Sequence, residues 1–218
     1  SMDQIDEYEQ GERVRAWLRN NGSSLIGGVA LGLAALGGWQ WWQGQQEQGK
    51  AVAAGEFLAF SQALEAGETD KAEAFAQSLR TAHPDTPYPA LVALNLAARQ
   101  LGEGKGEDAL ATLDGVAREG LDAGLAELLD LRAARVLVAL DRHEDALARL
   151  ATLGEASHYP ANVAELRGDA ELALGRRDAA RAAYEQALAQ LDEAAPTRPM
   201  IEMKLTDAGG SPTAQPES

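Results

Sequence analysis

Cysteine is absent from the 218 residues. No disulfide framework, thiolate nucleophile or cysteine-based metal site can therefore be built, although this suits either redox compartment. Aromatic residues make up only 5 % of the chain and β-branched residues are sparse, which disfavours sheets. Basic residues are outnumbered: 19 Lys and Arg face 34 Asp and Glu, for a formal net charge of −15. Nucleic-acid binding needs a basic face to displace phosphate counterions, so that class of partner is excluded. Histidine occurs three times, at His83, His143 and His158. None has a second ligand one helical turn away and no HExxH is present, so no metal site is expected. Carboxylates are scattered along solvent faces without a pair that stands out as an acid/base dyad. Gly102-Glu103-Gly104-Lys105-Gly106 lacks the Gly-Lys-Ser/Thr order of a phosphate loop and reads as a turn between helices. The chain is expected to be non-enzymatic and to carry no cofactor.

What is abundant is Ala and Leu, which favour helices. The first concentration of apolar residues runs from Leu25 to Trp42, and no charge lies between Arg19 and Glu47. A hydrocarbon core of roughly 30 Å needs about 20 helical residues, so residues 21–44 are expected to form a transmembrane helix. Arg13, Arg15 and Arg19 precede it, whereas the first base after it is Lys50. The positive-inside rule then puts residues 1–20 in the cytoplasm and the remainder across the membrane. A signal peptide is the rival reading. The apolar run is long for a signal core of roughly 7–15 residues, and Trp39, Trp41 and Trp42 suit an interfacial belt better than a cleavage site. Gly28 and Gly32 form a GxxxG on this helix, a candidate packing face against another membrane helix.

Beyond the span the chain repeats itself. Glu107–Leu113 echoes Glu144–Leu150, and a Gly or Asp followed five residues later by Ala recurs as Gly67…Ala72, Gly104…Ala109, Asp141…Ala146 and Gly175…Ala180. The spacings are 37, 37 and 34, close to the tetratricopeptide period of about 34. The expected fold is all-α: one N-terminal transmembrane helix, then a tetratricopeptide-like helical-repeat solenoid over residues 45–207. Each unit is two antiparallel helices, with a small Ala letting the second sit against the first, and neighbours stack to bury what neither covers alone. Arg167 and Glu171 occupy positions that are usually apolar, so that helix face is expected to be more exposed or the register shifted by one. Met200–Leu205 is expected to form a capping helix, and residues 208–218 a disordered tail.

The stacked first helices of such repeats form a concave groove. Register points Phe57, Ser61, Leu94, Ala98, Leu131, Arg135, Asn162 and Glu165 toward it, although the apolar members are equally core positions. Arg135 stands out amid Ala and Leu. Its fork suits a carboxylate from a partner, or alternatively the neighbouring Asp169.

Three features together resemble one family. They are the Arg15-Ala16-Trp17-Leu18 lead into Asn20-Asn21-Gly22, the Gly-rich span ending Gly38-Trp39-Gln40-Trp41-Trp42, and the repeats ending in Met203-Lys204-Leu205. In that order they resemble the YfgM family, ancillary subunits of the SecYEG translocon. The resemblance implies a single-pass protein of the bacterial inner membrane with a periplasmic repeat domain. It further implies the periplasmic chaperone PpiD as a partner and a part in handling newly exported proteins. The alternatives are an assembly factor for outer-membrane complexes and a stress-response regulator acting through residues 2–20.

Overall fold

The computed structural model describes residues 3–154 and 156–212, with side chains from Gly28 onward. Two compact units divide the chain, Ser1–Val52 and Ala53–Ser218. Nine helices make up the regular structure among the described residues.

Helix α1 (Asp3–Glu65) covers the first unit and supplies the first helix of the second. In the first unit its large apolar side chains are uncovered: Leu31 is 74 % and Trp41 69 % exposed. Among the described residues no helix is long and apolar enough to cross a membrane. The side chains of residues 1–27, which include the cytoplasmic segment expected at 1–20 and the start of the span expected at 21–44, lie outside that description.

The second unit is a run of helix pairs. The end of α1 pairs with α2 (Thr69–Ala82), α3 (Tyr88–Gly102) with α4 (Gly106–Asp114), α5 (Ala123–Ala139) with α6 (His143–Ala151), and α7 (Pro160–Ala173) with α8 (Arg177–Ala189); α9 (Arg198–Asp207) follows. The four turn positions read from the repeat all have left-handed backbones: Gly67 at φ 73°, Gly104 at 77°, Asp141 at 57° and Gly175 at 74°. Each first helix closes there in the same way. The amide of the following residue donates to a carbonyl five residues back: Glu68 to Ala63 at 2.9 Å, Lys105 to Gln100 at 2.8 Å, Arg142 to Leu137 at 2.9 Å and Arg176 to Glu171 at 2.9 Å. This geometry satisfies end carbonyls that the helix leaves unpaired.

The Ala that follows each turn is sealed inside: Ala72, Ala109, Ala146 and Ala180 are all at most 1 % exposed. Small residues there let paired helices approach until side chains interlock. At Gly168 a Cβ would sit 2.5 Å from the Tyr184 ring. Prolines mark starts as well as stops. Pro89, Pro160 and Pro199 lie in the first turns of α3, α7 and α9, where a missing amide hydrogen costs nothing.

Helix α9 caps the array. It begins two residues earlier than the expected Met200 and buries Ile201 and Leu205 against Ala164, Tyr184 and Leu188, leaving Met200 and Met203 outside. Ala208, assigned by sequence to a disordered tail, is 2 % exposed and belongs to this core. The amide of Gly210 closes α9 by bonding to Leu205 at 2.9 Å. Residues 213–218 of the expected tail lie outside the described residues.

Candidate functional site

The first helices of repeats two and three, α3 and α5, flank an open groove of about 340 Å³. Leu94, Ala98 and Leu101 come from α3, and Leu128, Arg132 and Arg135 from α5. On α3 the apolar members recur at helical spacing, which places them on one face. Asn95 sits at the lip; its Nδ2 donates to the Leu91 carbonyl at 2.8 Å. Of the eight residues singled out by repeat register, Leu94, Ala98 and Arg135 meet in this groove.

The other five lie elsewhere. Leu131 is 5 % exposed and packs with Ala134, Leu150, Val163 and Leu166, so it is core. Phe57 is half-buried in an aromatic cluster, stacked on Phe60 at 6.0 Å and tilted against Tyr88 at 5.4 Å. Ser61 donates to the carbonyl of Phe57 in its own helix at 3.0 Å. Asn162 is exposed on α7.

Glu165 is the buried charged residue among the described side chains. Its Oε1 accepts from Lys204 Nζ at 2.6 Å, and the same ammonium reaches Asp169 Oδ2 at 2.8 Å. Tyr184 donates its hydroxyl to Asp169 Oδ1 at 2.8 Å. Two carboxylates, one ammonium and one phenol thus tie α9 to α7 and α8. Burial would lower the Lys204 pKa, but the bonds and charges of Asp169 and Glu165 outweigh it and hold the group above its ordinary value. Burial, reinforced by Asp169, pushes the Tyr184 phenol up. This cluster leaves Asp169 engaged, so it is not the partner of Arg135. Glu171, expected to leave an exposed face, is largely covered, and it pairs with Arg176 at 3.3 Å.

The histidines are separate from the groove. His158 Nδ1 lies 2.9 Å from Glu127 Oε1, while its amide and the Ser157 hydroxyl each donate to Glu127 Oε2 at 2.8 Å. This latch holds the α6–α7 linker to α5. Bonding to Glu127 raises the His158 pKa above its ordinary value. Burial pushes Glu127 up, but the bonds from His158 and Ser157 prevail and leave it lowered. Among the described residues no cluster of His, Asp and Glu could hold a metal ion. Gly102–Gly106 forms the α3–α4 turn. At Gly28 and Gly32 a Cβ would meet nothing within 4 Å.

The family model for a tetratricopeptide repeat-like domain matches residues 15–210. An ancillary SecYEG translocon subunit of Escherichia coli (strain K12) is 32 % identical over 203 residues, which are 93 % of this chain and 96 % of that protein. The chain belongs to the YfgM family. A second YfgM-family relative, the ancillary SecYEG translocon subunit of Haemophilus influenzae, is 26 % identical over 93 % of this chain and 98 % of its own length. A solved thermophilic TPR protein of Thermus thermophilus is also similar, at 23 % identity and a TM-score of 0.48, covering 70 % of this chain and 79 % of that one.

In this YfgM-family chain, repeat register missed Arg132. Its signal was present: it precedes Arg135 by three residues, and positions three apart share a helix face. Register alone also could not foresee that Glu165 would be claimed by Lys204, 39 residues downstream.

Proposed function

We propose that this protein is a non-enzymatic interaction subunit tethered beside the Sec translocon. In this reading residues 21–44 cross the inner membrane with residues 1–20 cytoplasmic. The repeat domain, on the periplasmic side, holds a partner chaperone such as PpiD or a newly exported protein. The observation that carries it is the 32 % identity to a translocon subunit over 93 % of the chain. The family match begins at residue 15 and so takes in the apolar segment as well as the repeats.

Physical features support the tether. Val29, Leu31, Leu33, Leu36, Trp39 and Trp41 are each more than half exposed. Such a run of bare apolar surface is costly in water and marks a lipid or protein contact. Open space around Gly28 and Gly32 leaves that face free for a neighbouring helix. Tethering turns a weak groove into an effective one, because a partner held at the membrane meets it at high local concentration.

Copurification from detergent extracts tests the reading. Translocon subunits should accompany the parent chain, and Gly28→Leu/Gly32→Leu should recover fewer of them if that face docks. Recovery of outer-membrane assembly components in their place would overturn it. Protease added outside spheroplasts should digest the repeat domain, and full protection would reverse the proposed orientation.

A further inference from the structure

The groove between α3 and α5 has an unusual charge for this protein. Carboxylates outnumber bases across the chain, 34 to 19, yet no carboxylate lines the groove and two arginines do. Nearby arginines are engaged: Arg99 with Glu103, Arg118 with Asp130, and Arg149 with Asp114. Arg132 is exposed and Arg135 half-buried, and neither makes an ion pair or hydrogen bond with any described residue. They stand three residues apart on α5, so both guanidinium groups face the same opening. Opposite them, Leu94, Ala98 and Leu101 form an apolar wall.

Two unpaired guanidinium groups beside an aliphatic wall select for a ligand with both features. We infer that the groove takes an extended protein segment in which acidic side chains alternate with aliphatic ones. Acidic side chains meet Arg132 and Arg135, whose planar forks match carboxylates. Aliphatic side chains, on the opposite side of an extended strand, lie on Leu94, Ala98 and Leu101. Asn95 contributes to the main chain: with Nδ2 committed to Leu91, its Oδ1 remains to accept an amide N–H. A groove of about 340 Å³ takes a few side chains and not a folded domain. The chain as a whole, with a net charge of −15, repels acidic chains, so such a segment is retained only where these arginines offset that field.

This inference rests on the proposed role of the groove in holding a protein partner. Its test uses the full chain in detergent micelles and three fluorescently labelled, end-capped peptides. These alternate leucine with glutamate, with glutamine or with lysine. The glutamate peptide should bind at least about tenfold more tightly than the other two, and Arg132→Gln/Arg135→Gln should remove about that factor. The glutamine peptide should bind parent and variant alike. The melting temperature of the variant should match the parent, since neither arginine bonds within the fold. Equal binding of all three peptides, or an unchanged affinity in the double variant, would overturn the charge selection while leaving the groove as a seat for peptides. Absence of binding by every peptide would overturn the groove itself.

Discussion

Replacing Gly168 with Ala measures how tightly the helix pairs interlock. A Cβ built there falls 2.5, 2.6 and 2.8 Å from Cε1, Cδ1 and Cζ of Tyr184. These are three atoms of one rigid ring, so no flexible end can swing aside. Retreat of the ring is blocked: Tyr184 is 1 % exposed and its hydroxyl is fixed by Asp169 at 2.8 Å. Overpacking of this kind costs about 1–3 kcal/mol, and the rigid contact puts Gly168→Ala at the upper end. The gain in helix propensity returns about 1 kcal/mol. A net loss of about 2 kcal/mol is expected, which lowers the melting temperature of a chain this size by about 4–8 °C. The contrast is Gly55→Ala. Gly55 is exposed within α1 and a Cβ there meets nothing within 4 Å, so the propensity gain of about 0.5–1 kcal/mol should appear unopposed. Thermal melts followed by circular dichroism give both values. In a Tyr184→Leu background, which removes the ring, Gly168→Ala should lose most of its cost. If Gly168→Ala melts at or above the parent, close helix approach does not set the stability of this repeat.

The remaining expectations concern charge and backbone. Lys204→Met leaves Glu165 buried without its ammonium, and should cost about 3–5 kcal/mol in urea unfolding; a loss under about 1 kcal/mol would mean that the carboxylate escapes to water. The His158–Glu127 latch should give a pH-dependent term in stability. His158 has a raised folded pKa, so its contribution is complete below the ordinary imidazole value and fades as pH rises through the raised one. Glu127 is lowered, so its share is present above the ordinary carboxyl value and fades as pH falls through the lowered one. Urea midpoints scanned with pH should show His158→Gln losing the alkaline fade, and an unchanged profile would refute the assignment. Asp141 holds a left-handed φ of 57° at a position filled by glycine in the other three turns. Asp141→Gly should stabilise by about 0.5–1 kcal/mol, and a clear loss in the same unfolding assay would show that the aspartate side chain compensates for the strain.

Periodicity made the scaffold legible. A Gly or Asp followed five residues later by Ala located the left-handed turn inside each of the four helix pairs and the four sealed alanines, because those two demands recur in every repeat and little else can meet them. The candidate site was legible only in part. Leu94, Ala98 and Arg135 converge because each sits on the inward face of a first helix. Leu131 sits on a comparable face but is covered by α6 and α7 side chains, Leu150 and Val163 among them. Whether an apolar position faces a neighbour or an opening depends on what the next repeat places above it, and a repeat pattern is silent on that. Glu165 was misread for a different reason: its environment is set by Lys204 on a helix that belongs to no repeat.

That outside helix also sets a rule for how an array like this can lengthen. Stacked repeats present nearly interchangeable faces, and duplication can in principle add a unit anywhere along them. Here the final face is keyed: Glu165 and Asp169 demand an ammonium, and Ile201 and Leu205 fill the apolar seat beside it. A unit appended after α8 would meet two carboxylates with no cation to answer them. A unit inserted between α4 and α5 or between α6 and α7 would also break polar ties, Arg149 with Asp114 and His158 with Glu127 among them, but these groups are partly exposed and water can answer them. The segment from Pro160 to Gly210 is therefore the part of the array least open to an added unit.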